Sequence, residues 1–236
     1  MAAPIIWIIG VLSLLFVYFI STPEWIELHF DQKGGSPVEI ATVALFFFQM
    51  FFLWVMPPVP LENLKGKALC FVFSVITFIA ICREMDWHKK MIDVSHIEGA
   101  THGTPFKMRF LTNPVNPLAD RLLVLFCFIV VIGLCAGILL WYIRPLVKGL
   151  FRFQPVCWSI AFIGGTGILI KIFDRISSIL RKDFNIMLTD QQEALTCALE
   201  EGQEVLLPLF VIIAIMQAHF IFNNQDGDEF SNFRNS

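Results

Sequence analysis

Six long apolar stretches alternate with shorter polar connections along this chain: residues 4–20, 38–59, 67–83, 121–143, 155–173 and 195–222. A helix needs roughly 20 apolar residues to cross a hydrocarbon core of about 30 Å, and each stretch approaches that length. The first and third are short, while the last is long and carries acidic residues in its first turns. The pattern predicts an all-α fold, a polytopic membrane bundle of about six helices forming a single domain over residues 1–236, with 223–236 as a polar tail.

Turn chemistry separates the stretches. Gly34-Gly35-Ser36-Pro37 precedes the second, Pro57-Pro58-Val59-Pro60 follows it, and Asn113-Pro114-Val115-Asn116-Pro117 precedes the fourth. Trp25, Trp54, Trp87, Trp141 and Trp158 lie near the predicted helix ends, where an indole sits well at headgroup level. No Lys or Arg precedes the first stretch and no A-x-A pattern follows it, so it is read as a spanning helix and not as a cleaved leader.

Residues 84–120 form the longest connection, and loops of that length are often functional or fold against the membrane surface. Residues 174–194 stay periodically apolar at Ile176, Ile179 and Leu180, which predicts that the fifth helix continues past the membrane. One pair of helices separates these two connections, so both fall on the same side. The Lys and Arg residues fix no orientation. Most of them lie on that side, which by the positive-inside rule puts both termini outside, yet the short basic connections at 65–67 and 144–152 favour the reverse.

Composition sharpens the class. The 236 residues are 56% hydrophobic and 16% charged, against about 25% charged in an ordinary soluble domain. The mean hydropathy is +0.70. A net charge of -3 and the lack of any Lys/Arg-rich run exclude a nucleic-acid partner. The expected partners are instead the lipid bilayer of a cell (inner) membrane, a lipid substrate, or other membrane subunits. The six cysteines show no C-x-x-C spacing and read as small buried hydrophobes.

Against this apolar background the ionisable residues at the ends of the stretches, or inside them, are the candidate site, because charge in hydrocarbon is costly and must face a partner or water. At 100° per residue, Glu193, Cys197, Glu200 and Glu204 fall within about 60° of one another on the sixth helix. Carboxylates that close cannot all ionise cheaply, so either cations neutralise them or one holds a proton. Glu201 and His219 share a neighbouring face but lie about five turns apart.

At the end of the third helix, Glu84 and His88 are spaced i, i+4 and offer an oxygen and an imidazole to one ion if the helix continues. Asp86 points elsewhere, and Arg83 is placed to pair with a carboxylate of the sixth helix. On the fifth helix Asp174, Ser178 and Arg181 share a face on the same membrane side. Three helices thereby deliver complementary groups to one side.

Three readings follow. The first is a charge network of Arg83, Asp86, Asp174, Arg175, Arg181 and Glu201 with the other acids, locking helices together. The second is a divalent metal (Zn, Mn or Fe) held by Glu84, His88, Glu200 and Glu204, with Glu84, Glu200 and Glu204 as catalytic groups acting on a lipid or lipid-linked substrate. In the third, protons or cations pass along the Glu stripe, as in a transporter or channel component.

His96 and His102 read as exposed loop residues and His219 as a satisfied interface histidine. Gly133-x-x-x-Gly137 and Gly164-Gly165-x-Gly167 read as sites of close helix packing. No G-x-S-x-G, H-E-x-x-H or H-x-x-x-H occurs, so the serine-hydrolase, zincin and intramembrane His-pair chemistries lack their residues.

Overall fold

The computed structural model describes residues 2–30, 35–59, 61, 64–87, 92–101 and 105–224. The described chain is helical, without a strand: α1 Ala2–Ile20, α2 Pro23–Phe30, α3 Pro37–Val55, α4 Leu64–Glu84, α5 Met108–Thr112, α6 Leu118–Phe151, α7 Pro155–Asp183 and α8 Asp190–Asn224. Six of these, α1, α3, α4, α6, α7 and α8, are long and apolar enough to cross a membrane, which makes the protein multi-pass by length and composition.

α8 is the central post. Its 35 residues extend about 52 Å at 1.5 Å per residue, well beyond a hydrocarbon core. α1, α2, α3 and α7 pack directly on it, and α4 packs on α3. Polar contacts give the directions. Ser159 Oγ donates to Gln217 Oε1 at 2.8 Å, and Ser177 and Thr196 hydroxyls meet at 3.5 Å, so α7 runs antiparallel to α8. Gln49 Nε2 donates to Thr77 Oγ1, and Trp54 Nε1 to Ser74 Oγ at 2.9 Å, which pairs α3 and α4 antiparallel. In lipid no hydrophobic force draws helices together, so such bonds and close packing carry the association, each bond contributing about 0.6–2 kcal/mol.

Local chemistry sets the boundaries. Ser36 caps α3 reciprocally: its hydroxyl accepts from Glu39 N–H at 3.0 Å while the Glu39 carboxylate accepts from Ser36 N–H at 2.9 Å. α2 starts at Thr22-Pro23, a hydroxyl cap followed by proline in the first turn. Its Ile26 and Phe30 bury against Ala194 and Ala198, holding the first turns of α8. α6 continues through Pro145 to Phe151 because the bonds beyond the proline sustain the last turns.

The long connection is structured where it is described. Ile92, Val94, Phe110 and Val124 form a satellite core against the start of α6. Asn116, 2% exposed, ties it together by donating to Phe110 O at 2.8 Å and accepting from Thr101 N–H at 3.0 Å. His96 is exposed; His102 lies outside the described residues.

The glycine expectation is corrected. A Cβ added at Gly133, Gly137, Gly164, Gly165 or Gly167 would meet nothing within 4 Å, so among the described residues no helix packs closely there. The close approach is instead between α1 and α8, where a Cβ at Gly202 would lie 2.3 Å from Leu14 and one at Gly10 would lie 2.8 Å from Leu206. These two glycines sit 192 residues apart, so no sequence spacing announces them. Gly202→Leu is therefore expected to lower the melting temperature of the detergent-purified protein, by overpacking worth about 1–3 kcal/mol. Gly133→Ala and Gly164→Ala should leave it unchanged or raise it, since alanine is the better helix former by about 1 kcal/mol. Equal effects at all three positions would contradict this packing.

Candidate functional site: a carboxyl cluster around Arg83

α4 ends and α3 begins at the same level of the bundle, and there α8 presents Glu200, Glu201 and Glu204. Arg83, in the last turn of α4, reaches across to α8: its Nη2 donates to Glu204 Oε1 at 2.7 Å. The same guanidinium holds its Nε 3.8 Å from Glu84 Oε1. Glu204 is buried, with its side chain 9% exposed, whereas the Arg83 side chain is 54% exposed. A half-exposed guanidinium joined to a buried carboxylate is a bridge between an aqueous rim and the bundle interior.

Glu84 of α4 and Glu204 of α8 thus share the one guanidinium. Glu201 interacts electrostatically with Glu204, Glu200, Glu84 and Glu39. Glu200 does so with Asp174 and Glu204, and with Lys171 and Arg83 as its opposite charges. Neither Glu200 nor Glu201 forms an ion pair among the described residues. Glu39 is the member that the sequence reading missed, and the signal for it was the Ser36-x-x-Glu39 capping box, which fixes a carboxylate at the first turn of α3.

Not every expected residue joins. Asp174 stays at the rim: it pairs with Lys171 Nζ at 3.1 Å on an exposed face of α7 and acts on Glu200 and Arg83 without a direct contact. Arg175 and Arg181 are exposed and form no ion pair among the described residues. Glu193 is exposed at the start of α8, whereas Cys197 and Glu200 are half-buried and Glu204 is buried. His219 interacts with Pro57 O at 3.1 Å, at the opposite end of the bundle.

The expected i, i+4 partner of Glu84 falls beyond the described end of α4. α4 stops at Glu84, and Asp86 follows with φ 54°, the left-handed conformation that ends helices. His88 itself lies outside the described residues. Among the described residues no group of three or more His, Cys, Asp or Glu side chains is arranged to hold a metal ion. The metal set Glu84, His88, Glu200 and Glu204 thus finds no support, and the described geometry gives the Glu204 oxygen to Arg83.

Comparison of the chain with protein-family models, with curated proteins and with solved structures gives no match in any of the three.

The Arg83–Glu204 bridge is testable by a double-mutant cycle read by thermal unfolding in detergent. Arg83→Gln and Glu204→Gln should each destabilise, and the double variant should recover part of the loss, with a coupling of about 1–3 kcal/mol. Strictly additive effects would mean that the two side chains do not meet.

Proposed function

We propose that this multi-pass protein takes up and passes protons in a cell membrane through the Glu84, Glu200, Glu201 and Glu204 cluster, with Arg83 as the internal counter-charge. The observation that carries this reading is that, among the described residues, Glu84 and Glu204 meet the Arg83 guanidinium while Glu200 and Glu201 form no ion pair. A network serving only to lock helices needs charges in matched number. Carboxyls beyond that number cost free energy inside a bundle unless they exchange protons or cations.

The gathering of Glu84 and Glu204 on one guanidinium fits the same reading, because carboxyls that share a cation compete for it and favour protonation of one of them. Glu201, beside them and without an ion-pair partner among the described residues, is the natural acceptor. A helix-locking role coexists with this one, since the 2.7 Å bond from Arg83 does clip α4 to α8.

Vesicles containing the purified protein and a pH-sensitive dye provide the test. Under a potassium diffusion potential, the wild type should change internal pH faster than protein-free vesicles. Glu201→Gln should fall to the protein-free rate with an unchanged melting temperature, because it removes an acid but no helix clip. A wild type no faster than empty vesicles would leave the locking role alone.

A further inference from the structure

Beyond the carboxyl cluster, the interface of α3, α4 and α8 carries a second polar layer. On α3 the buried residues Thr42, Phe46, Gln49 and Leu53 form one face turned into the bundle. Gln49 donates from Nε2 to Thr77 Oγ1 of α4, and that hydroxyl passes its own proton to Phe73 O. The other end of the amide, Gln49 Oε1, is buried and has no hydrogen-bond partner. In a membrane-spanning segment an unsatisfied carbonyl costs several kcal/mol, so this oxygen calls for a donor.

A second acceptor lies between the two layers. Pro208, fully buried inside α8, has no N–H, and the residue four positions earlier is Glu204. The Glu204 carbonyl therefore loses its normal helical donor directly below the carboxylate that Arg83 holds. Leu53 of α3 and Ile215 of α8 share one buried cluster, which places Gln49 near the level of Val211. That is about 10 Å beyond Glu204 at 1.5 Å per residue. Thr77 lies seven residues before Glu84, hence two turns away on the same face of α4. α4 meets α8 through side chains, with Arg83 bridging to Glu204 at one end and Cys70 sharing a buried cluster with Ile215 further along.

We infer that water enters from the carboxyl cluster along the α4/α8 seam to Gln49 and Thr77, forming a proton half-channel that ends inside the bundle. The inference rests on the proton reading above and extends it with a route. Glu204 O and Gln49 Oε1 are acceptors, so each binds the donor end of a water, and Thr77 fixes the Gln49 amide so that its oxygen faces the chain of waters. Phe46 and Ile81, both buried, lie along the way and make the passage narrow.

Two measurements test the route. In a background with the six native cysteines replaced, folded as judged by monodispersity, Gln49→Cys should react with a water-soluble thiosulfonate faster than Phe47→Cys. Phe47 lies two residues earlier on α3 and points outward, 53% exposed, so it reports the lipid-facing rate at similar depth. Equal labelling would overturn the route whatever the flux result. In the native background, Gln49→Leu should reduce vesicle proton flux toward the Glu201→Gln level. A Gln49→Leu variant at the full wild-type rate would likewise overturn the route while leaving the carboxyl cluster as the proton site. Absence of wild-type flux, with Gln49→Cys still labelled, would instead overturn the proton reading and retain only water entry.

Discussion

A charged side chain inside an apolar bundle must find an opposite charge, a hydrogen bond or water, and the rest of this structure is arranged around one such requirement at Arg83. Its bond to Glu204 joins the end of α4 to the central helix. Without it, a buried carboxylate on α8 would face neighbouring carboxyls with no cation in contact. The pair also fixes the level of the site: α3 must begin there, α4 must end there, and α8 must carry its acids several turns into its length.

The same scarcity of partners explains the remaining polar contacts. Trp7 Nε1 reaches Gln203 Oε1 at 3.2 Å, tying α1 to α8 one residue away from the Arg83 bridge. Ser159 with Gln217 and Gln49 with Thr77 do the equivalent for α7 and α3. Each joins helices whose outward faces are apolar, such as Ile5, Ile9, Leu12 and Phe16 of α1. Helix identity is thus specified by a few bonds and close approaches, with the apolar surface left to the surrounding lipid.

Where bonds are missing, function has room. Glu200 and Glu201 exceed what Arg83 can neutralise, Pro208 frees a carbonyl at Glu204, and Gln49 keeps an oxygen without a donor. These three fall on α3 and α8, which pack directly on each other, while α7 carries two further buried polar atoms without a partner, Trp158 Nε1 and Thr166 Oγ1. Polar groups that a membrane bundle leaves incompletely satisfied are expensive, and those on the packed pair α3 and α8 are the physical argument for water and protons there.

The apolar runs by themselves determined six spanning helices, because roughly 20 hydrophobic residues have few alternatives to a membrane helix. They also placed Arg83, Glu84, Glu200 and Glu204 at one side, since counting spans fixes which connections share a side. α2 was legible in Thr22-Pro23, and Glu39 in the Ser36 capping box, as local signals that went unused among longer patterns. Other features required the tertiary structure: the end of α4 at Glu84, the open surroundings of Gly133 and Gly164, and the tight meeting of α1 with α8 at Gly10 and Gly202. Periodicity records which face of a helix is apolar or polar; which neighbour that face meets, and whether a charge there finds its opposite, depends on residues more than a hundred positions away.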